Sequence, residues 1–202
     1  MAIFRYGRTE IDHLKKRDSK LGAAIDEIGM IERDVTPDLF VALVASVASQ
    51  QISAKAAETV WRRIEERLGT ITPSSIAGAT PEEIQQCGMS MRKAGYIKGI
   101  GDAVTNGSLD LAVLCQLSDD EVIARLSALN GVGIWTAEML LIFSLERMNV
   151  LSWGDLAIRR GMMRLYGRDT LDRAAFERYR KRYDPYGSVA SLYLWEISHR
   201  DE

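Results

Sequence analysis

An all-α fold is what this 202-residue chain predicts, and three observations carry that prediction. Apolar residues recur at helical spacing in most segments, with charged residues opposite. Alternating runs of the kind that build half-buried strands are missing. Only 4 prolines interrupt the chain. Hydrophobic residues make up 47% and charged residues 27%, the balance of a globular protein that buries its core without staples. The length suits one large domain or two small ones packed together.

The elements follow in order. Thr9 is placed to cap a first helix carrying Glu10, Asp12, Lys15 and Lys16, with Ile11 and Leu14 as its apolar residues. A short apolar-faced segment spans Leu21 to Ile28. Thr36-Pro37 reads as cap and first helical residue of the next helix. The LFVALVASVASQQI run that follows is apolar almost all round, so it belongs in the middle of a domain. It ends on Gln50-Gln51-Ile52-Ser53, with Ser53 as cap of an amphipathic helix from Ala54 to Leu68 that Gly69 stops. Thr80-Pro81-Glu82-Glu83 opens a short helix, and Gly88 ends it. Ser90 to Val104 is another helix, with Arg92, Lys93 and Lys98 as a modest basic surface. Ser118 to Glu121 is a capping box before Val122 to Leu126. Helices are also predicted at Ile134–Leu145, Leu156–Tyr166, Leu171–Lys181 and Val189–Ile197.

Bulk properties exclude several classes. The two cysteines, Cys87 and Cys115, make neither a zinc site nor a four-thiolate cluster alone. A net charge of −2 argues against a protein that coats nucleic acid, while leaving room for a local basic face. The N-terminus lacks the long apolar core of a signal peptide, and no run approaches the roughly 18 apolar residues of a membrane span.

The stretch from Leu129 to Arg160 organises the rest. Leu129-Asn130-Gly131-Val132-Gly133 joins two helices. Its glycines permit a tight turn and leave bare amides at the start of the second helix, an arrangement suited to phosphate. A dinucleotide-binding reading fails, because no strand precedes the turn and no third glycine follows. Downstream, Asp155 opens a helix after Trp153-Gly154. An N-cap role alone would explain it.

Four ordered stretches then carry a resemblance. Leu129 to Ala137, with Asp155 twenty residues after Trp135, resembles the hairpin and catalytic acid of the helix-hairpin-helix (HhH-GPD) DNA glycosylase superfamily. Ser49-Gln50-Gln51-Ile52-Ser53-Ala54, Cys87-Gly88-Met89-Ser90-Met91-Arg92-Lys93 and Pro185-Tyr186-Gly187-Ser188 through Trp195 are similar to segments of its 3-methyladenine DNA glycosylase II branch. The likeness runs from about Pro37 to the C-terminus. It departs at Asn130, Gly154 and Gly187, where the branch often has other residues.

The resemblance implies a two-lobed helical fold, with lobes at about residues 35–110 and 111–202 plus the N-terminal segment, and an active-site cleft between them; from its length and helical reading the chain is expected to lack the N-terminal β domain of the larger family members. It implies an enzyme that flips alkylated, cationic purines such as 3-methyladenine and 7-methylguanine out of duplex DNA and hydrolyses the N-glycosidic bond. Asp155 is then the catalytic residue. Trp135, Trp195, Trp153, Tyr193 and Met139 line the base pocket, where aromatic faces attract a cationic base. Gly131, Val132, Gly133, Thr136, Gln50, Gln51, Ile52, Ser53 and Lys93 contact DNA, with Gln51 filling the gap left by the flipped base and Ile52 next in line. No cofactor is expected beyond a sodium or potassium ion on the carbonyls of Ser127, Leu129 and Val132. The bifunctional glycosylase/lyases of this superfamily carry a Schiff-base lysine where this chain has Trp135, so cleavage of the base alone is expected. The protein is expected to be a monomer needing no protein partner or membrane, located in the cytoplasm on the nucleoid, or in the nucleus of a eukaryote. The competing readings are a non-catalytic hairpin module, an oxidised-base glycosylase/lyase, and a helical scaffold with no role on DNA.

Overall fold

The computed structural model describes residues 2–200. A two-residue ladder, β1 (Ala2–Ile3) antiparallel to β2 (Asp34–Val35), is the small exception to a helical chain. The helices in order are α1 (Arg8–Arg17), α2 (Ser19–Ile28), α3 (Leu39–Ala48), α4 (Ala54–Leu68), α5 (Pro73–Gly78), α6 (Pro81–Gln85) and α7 (Met91–Thr105). They continue with α8 (Leu111–Leu114), α9 (Asp119–Ser127), α10 (Ile134–Phe143), α11 (Leu156–Tyr166), α12 (Arg173–Tyr183) and α13 (Gly187–His199).

The caps are mostly where the sequence puts them. Ser53, Thr80, Ser90, Ser118 and Asp155 each accept an amide of the first turn that follows. Two starts differ. Gly7, not Thr9, precedes α1, and the Glu10 carboxylate accepts its amide at 2.7 Å. Helix α3 begins at Leu39 with Asp38 as cap, accepting from Val41 N at 3.0 Å, rather than at Thr36-Pro37. A carboxylate one residue beyond the proline is the stronger acceptor, and this start buries Leu39, Phe40, Leu43, Val44 and Val47 together. The short α5 and α8 lie in stretches too brief to show a periodicity.

Two compact units result. One is Thr36–Leu140; the other joins the residues up to Val35 with those from Leu141 onward. The boundary therefore falls inside α10, not near residue 110. The reason is local: the hairpin before α10 is tied to α3 and α7, as described below, and so belongs with them. In the first unit α3 supplies the centre, packing on α4 and α7, with Leu43, Val44 and Val47 fully buried. In the second, α11 and α13 form the main pair and α2 packs on both. Burying apolar area at roughly 25 cal/mol per Å² is what holds such helix pairs.

The junction of α1 and α2 is fastened by a polar network within the second unit. Asp18, 4% exposed, caps α2 and also accepts from the Tyr166 hydroxyl at 2.6 Å and from Arg182 at 3.0 Å. Burial pushes its carboxyl up, but the Tyr166 hydroxyl, the Leu21 amide and Arg182 together hold it below the ordinary carboxylate range. Tyr166 stacks on Tyr179 with ring centroids 3.7 Å apart and meets the Tyr183 hydroxyl at 2.7 Å.

Candidate active site

Helix α11 places the acid. Asp155 is its N-cap: one carboxylate oxygen accepts the Ile158 amide at 2.9 Å. The other accepts the Trp195 indole N–H at 3.2 Å. The carboxylate is 7% exposed. The carboxylate is therefore a buried anion held in a fixed orientation.

Trp195 reaches Asp155 because α11 and α13 pack nearly backbone to backbone. A β-carbon on Gly161 would lie 2.1 Å from the Leu194 carbonyl oxygen, so any side chain there would force the helices apart. Behind Trp195, Phe143 stacks at 5.6 Å between centroids and 29° between planes. One ring face is thereby covered and its edge is bound to the acid. Trp195 thus positions the carboxylate.

The loop leading to Asp155 is fixed by the start of α13. Ser188 Oγ accepts the Val150 amide at 2.9 Å and donates to the Arg147 carbonyl at 2.5 Å. Ser191 Oγ lies 3.1 Å from the Val150 carbonyl, and Asn149 accepts the Gly187 amide at 3.2 Å. A β-carbon at Gly187 would stand 3.0 Å from Asn149 Oδ1, so this departure from the branch pattern fits a loop held close. Phe143, Asn149, Ser188 and Ser191 were not singled out from the sequence. A pair of serines three apart on an apolar helix was the available signal.

Two wall residues are corrected. Tyr193 is fully buried, with its hydroxyl donating to the Gly29 carbonyl at 3.0 Å, so it offers no face to a base. Its helix turns it into the core of its unit. Trp153 is half-buried, but its ring already carries the guanidinium groups of Arg159 at 5.0 Å and Arg173 at 5.2 Å, with Phe176 edge-on at 5.1 Å. Those cations take the interaction that a cationic base would have used.

The other predicted residues lie in the unit of Thr36–Leu140. At the hairpin, the Leu129 carbonyl accepts the Val132 amide at 3.2 Å, closing the turn. Gly131 has φ +86°, and a β-carbon on it would lie 2.3 Å from the Tyr96 ring, so both conformation and contact demand glycine. Gly133 is exposed with open space around its α-carbon. The amides of Gly133 and Ile134 stand at the start of α10, the end of a helix where amides lack an intrahelical carbonyl. Such an end is suited to an anion.

Three DNA-contact expectations change here. Val132 is buried and its amide serves the turn, so it anchors the hairpin. Thr136 is 6% exposed, so its hydroxyl is not presented to a ligand on the surface. Lys93, from the first turn of α7, donates to the Ala48 carbonyl at 3.1 Å and to the Gln50 carbonyl. It caps the end of α3 instead of reaching out, and burial lowers its ammonium below the ordinary lysine range. Ser53 is exposed, but its hydroxyl accepts the Ala56 amide at 3.3 Å as the α4 cap.

The turn after α3 is the other prominent feature. Gln50 Nε2 donates to the Gly131 carbonyl at 2.8 Å. Gln51 follows in the left-handed region at φ +58°, exposed, with Ile52 40% exposed beside it. A non-glycine residue there costs about 1–2 kcal/mol, and such strain persists where the surroundings over-determine it. At the start of α10, Trp135 is 49% exposed, with Met139 one turn further along the same face.

The model of the HhH-GPD superfamily base excision DNA repair proteins matches residues 44–185. The chain belongs to this superfamily. It is similar to DNA-3-methyladenine glycosylase 1 of Schizosaccharomyces pombe, 35% identical over 164 residues that make up 77% of this chain and 71% of that protein. Among solved structures, a DNA-3-methyladenine glycosidase from Bacillus halodurans superposes with a TM-score of 0.90 at 35% identity, covering 100% of this chain and 94% of that one. The S. pombe 3-methyladenine DNA glycosylase in complex with abasic DNA gives a TM-score of 0.79 at 29% identity, covering 94% of this chain and 96% of that one. In this superfamily context the chain is a helical base-excision repair protein, and among its described residues no helix is long and apolar enough to cross a membrane.

Proposed function

We propose that this protein is a monofunctional DNA glycosylase of the 3-methyladenine glycosylase II type. It excises alkylated, cationic purines, 3-methyladenine and 7-methylguanine among them, and acts as a monomer where the cell keeps its DNA. The observation that carries this reading is the buried Asp155 carboxylate, fixed by the Ile158 amide and the Trp195 indole at the head of α11. The names of the similar proteins support the substrate class.

A base inside a duplex is out of reach, so the nucleotide must be extruded at a cost of a few kcal/mol. The amides at Gly133 and Ile134 hold backbone phosphate, and Gln51, with Ile52 beside it, enters the gap. A sodium or potassium ion on the Ser127, Leu129 and Val132 carbonyls would add positive charge beneath that phosphate; the Leu129 carbonyl, although it closes the turn, keeps a second lone pair for it. Alkylation makes the purine a ready leaving group. As the glycosidic bond lengthens, the sugar gains positive charge, which the Asp155 anion stabilises or quenches by orienting water. The base departs as the neutral alkylpurine with the electron pair of the broken bond, water adds its oxygen to the sugar and gives up a proton to Asp155 or solvent, and an abasic sugar is left in an intact strand. Trp135 stands where a lyase needs an amine.

The test measures free base and strand breakage separately on alkylated duplex DNA. Base release without breakage until alkali is added is the expected result, with Asp155→Asn losing release. Spontaneous breakage would overturn the monofunctional reading, and binding without release would overturn the enzyme.

A further inference from the structure

We infer that Lys93 and Gln50 are positioning residues that couple the phosphate-holding hairpin to the gap-filling turn, so that gripping the backbone and filling the vacated space act as one rigid movement. This inference rests on the reading of the chain as a base-flipping glycosylase.

The geometry is a closed circuit inside one unit. Lys93, at the start of α7, holds the carbonyls of Ala48 and Gln50 at the end of α3. Gln50 then spends its side-chain amide on the Gly131 carbonyl. Gly131 in turn rests against Tyr96, which stands on α7 one turn beyond Lys93. Gln51, in its left-handed conformation, projects directly from this circuit. The residue before it is therefore clamped twice, Gln50 through its carbonyl and through its side chain.

Chemistry assigns the roles. An ammonium at a helix C-terminus meets the negative end of the dipole and bare carbonyls, so Lys93 is well satisfied without DNA. The Gln50 amide is uncharged, and it is engaged by the Gly131 carbonyl. Neither group, as placed, is spare for the duplex. What they give is stiffness: a side chain pushed into a base stack bears a load of the order of the unstacking cost, and a loose turn would yield before the bases do. Gly131 is the shared element, because the same residue shapes the hairpin and receives the Gln50 amide.

The experiment compares wild type with Lys93→Met, Lys93→Arg and Gln50→Ala in three measurements. These are affinity for undamaged duplex, single-turnover release of methylated purine, and fluorescence of 2-aminopurine placed beside a tetrahydrofuran abasic analogue. The fluorescence reports unstacking and needs no catalysis. Lys93→Met and Gln50→Ala are expected to lose about tenfold in release rate with a matching fall in fluorescence, while duplex affinity stays within about threefold. Lys93→Arg, which keeps a cationic donor, is expected to recover most of the loss. Equal losses in affinity and release would overturn the inference by making these residues ordinary phosphate contacts or supports of the hairpin alone. Wild-type fluorescence and release in both variants would overturn it by removing the coupling. A fall in melting temperature that Lys93→Arg does not share separates misfolding from loss of the clamp, since fluorescence is then compared at equal folded fraction. If wild type unstacks the 2-aminopurine yet releases no base, the glycosylase reading fails while the coupling is still measured.

Discussion

In the unit that holds Asp155, the candidate functional groups are side chains: a carboxylate held by an indole and a backbone amide, with two serines bracing the loop backbone. In the unit that holds the hairpin, they are backbone amides, and side chains such as Lys93 and Gln50 serve to hold that backbone still. The difference fits the task proposed for each region. Stabilising charge that develops at one atom needs a charged group held in one direction, which burial and two donors provide. Holding a phosphate whose sequence context varies needs donors that carry no side chain of their own. A substitution of a candidate functional side chain therefore acts through chemistry in the first region, and one at the hairpin acts through conformation in the second.

The largest effect tests the first half of that contrast. Asp155→Asn retains a good N-cap, so melting is expected to change little, yet base release should fall at least about a hundredfold. Asp155→Ala should lose the same activity and also about 1 kcal/mol of stability. If Asn restored activity, the residue would be only a cap. Next is Gly161→Ala, which sets a methyl 2.1 Å from the Leu194 carbonyl. A destabilisation of about 3 kcal/mol is expected in chemical denaturation, with activity lost in the fraction that stays folded because Trp195 moves from Asp155.

Gly131→Ala probes the second region. Its φ of +86° and the Tyr96 ring both oppose a side chain, so duplex affinity should drop about tenfold while the Asp155 region is untouched. Trp195→Phe keeps the stack on Phe143 and removes one donor from Asp155. About a tenfold loss in release rate, with duplex affinity unchanged, would confirm that the indole N–H orients the carboxylate. Smallest is the acid limb of stability. Asp18 is held below its unfolded value of about 3.9, so its contribution is complete above that pH and fades as pH falls through the lower folded value. Asp18→Asn should cost up to about 1 kcal/mol at neutral pH and converge with wild type in strong acid, as urea titrations at several pH values would reveal.

Local information carried far in this chain. Caps such as Ser53, Thr80, Ser90, Ser118 and Asp155 sit next to the turns they satisfy, so helix starts could be read from neighbouring residues. The glycines of the hairpin and the isolated acid after Trp153-Gly154 were visible for the same reason. At the start of α3 two local signals competed, and Asp38 prevailed over Thr36-Pro37 because burial of Leu39 and Phe40 sided with it.

What the sequence by itself determined was the helical class, most helix starts, the hairpin, and Asp155. Only the tertiary structure decided which tryptophan meets that acid, that Tyr193 is core, that Lys93 turns inward, and that the unit boundary falls at Leu140 rather than near 110. The first set depends on interactions between residues a few positions apart, where residue type nearly fixes the outcome. The second depends on contacts forty or more residues apart, Trp195 with Asp155 and Gln50 with Gly131, whose formation is set by how closely whole helices approach.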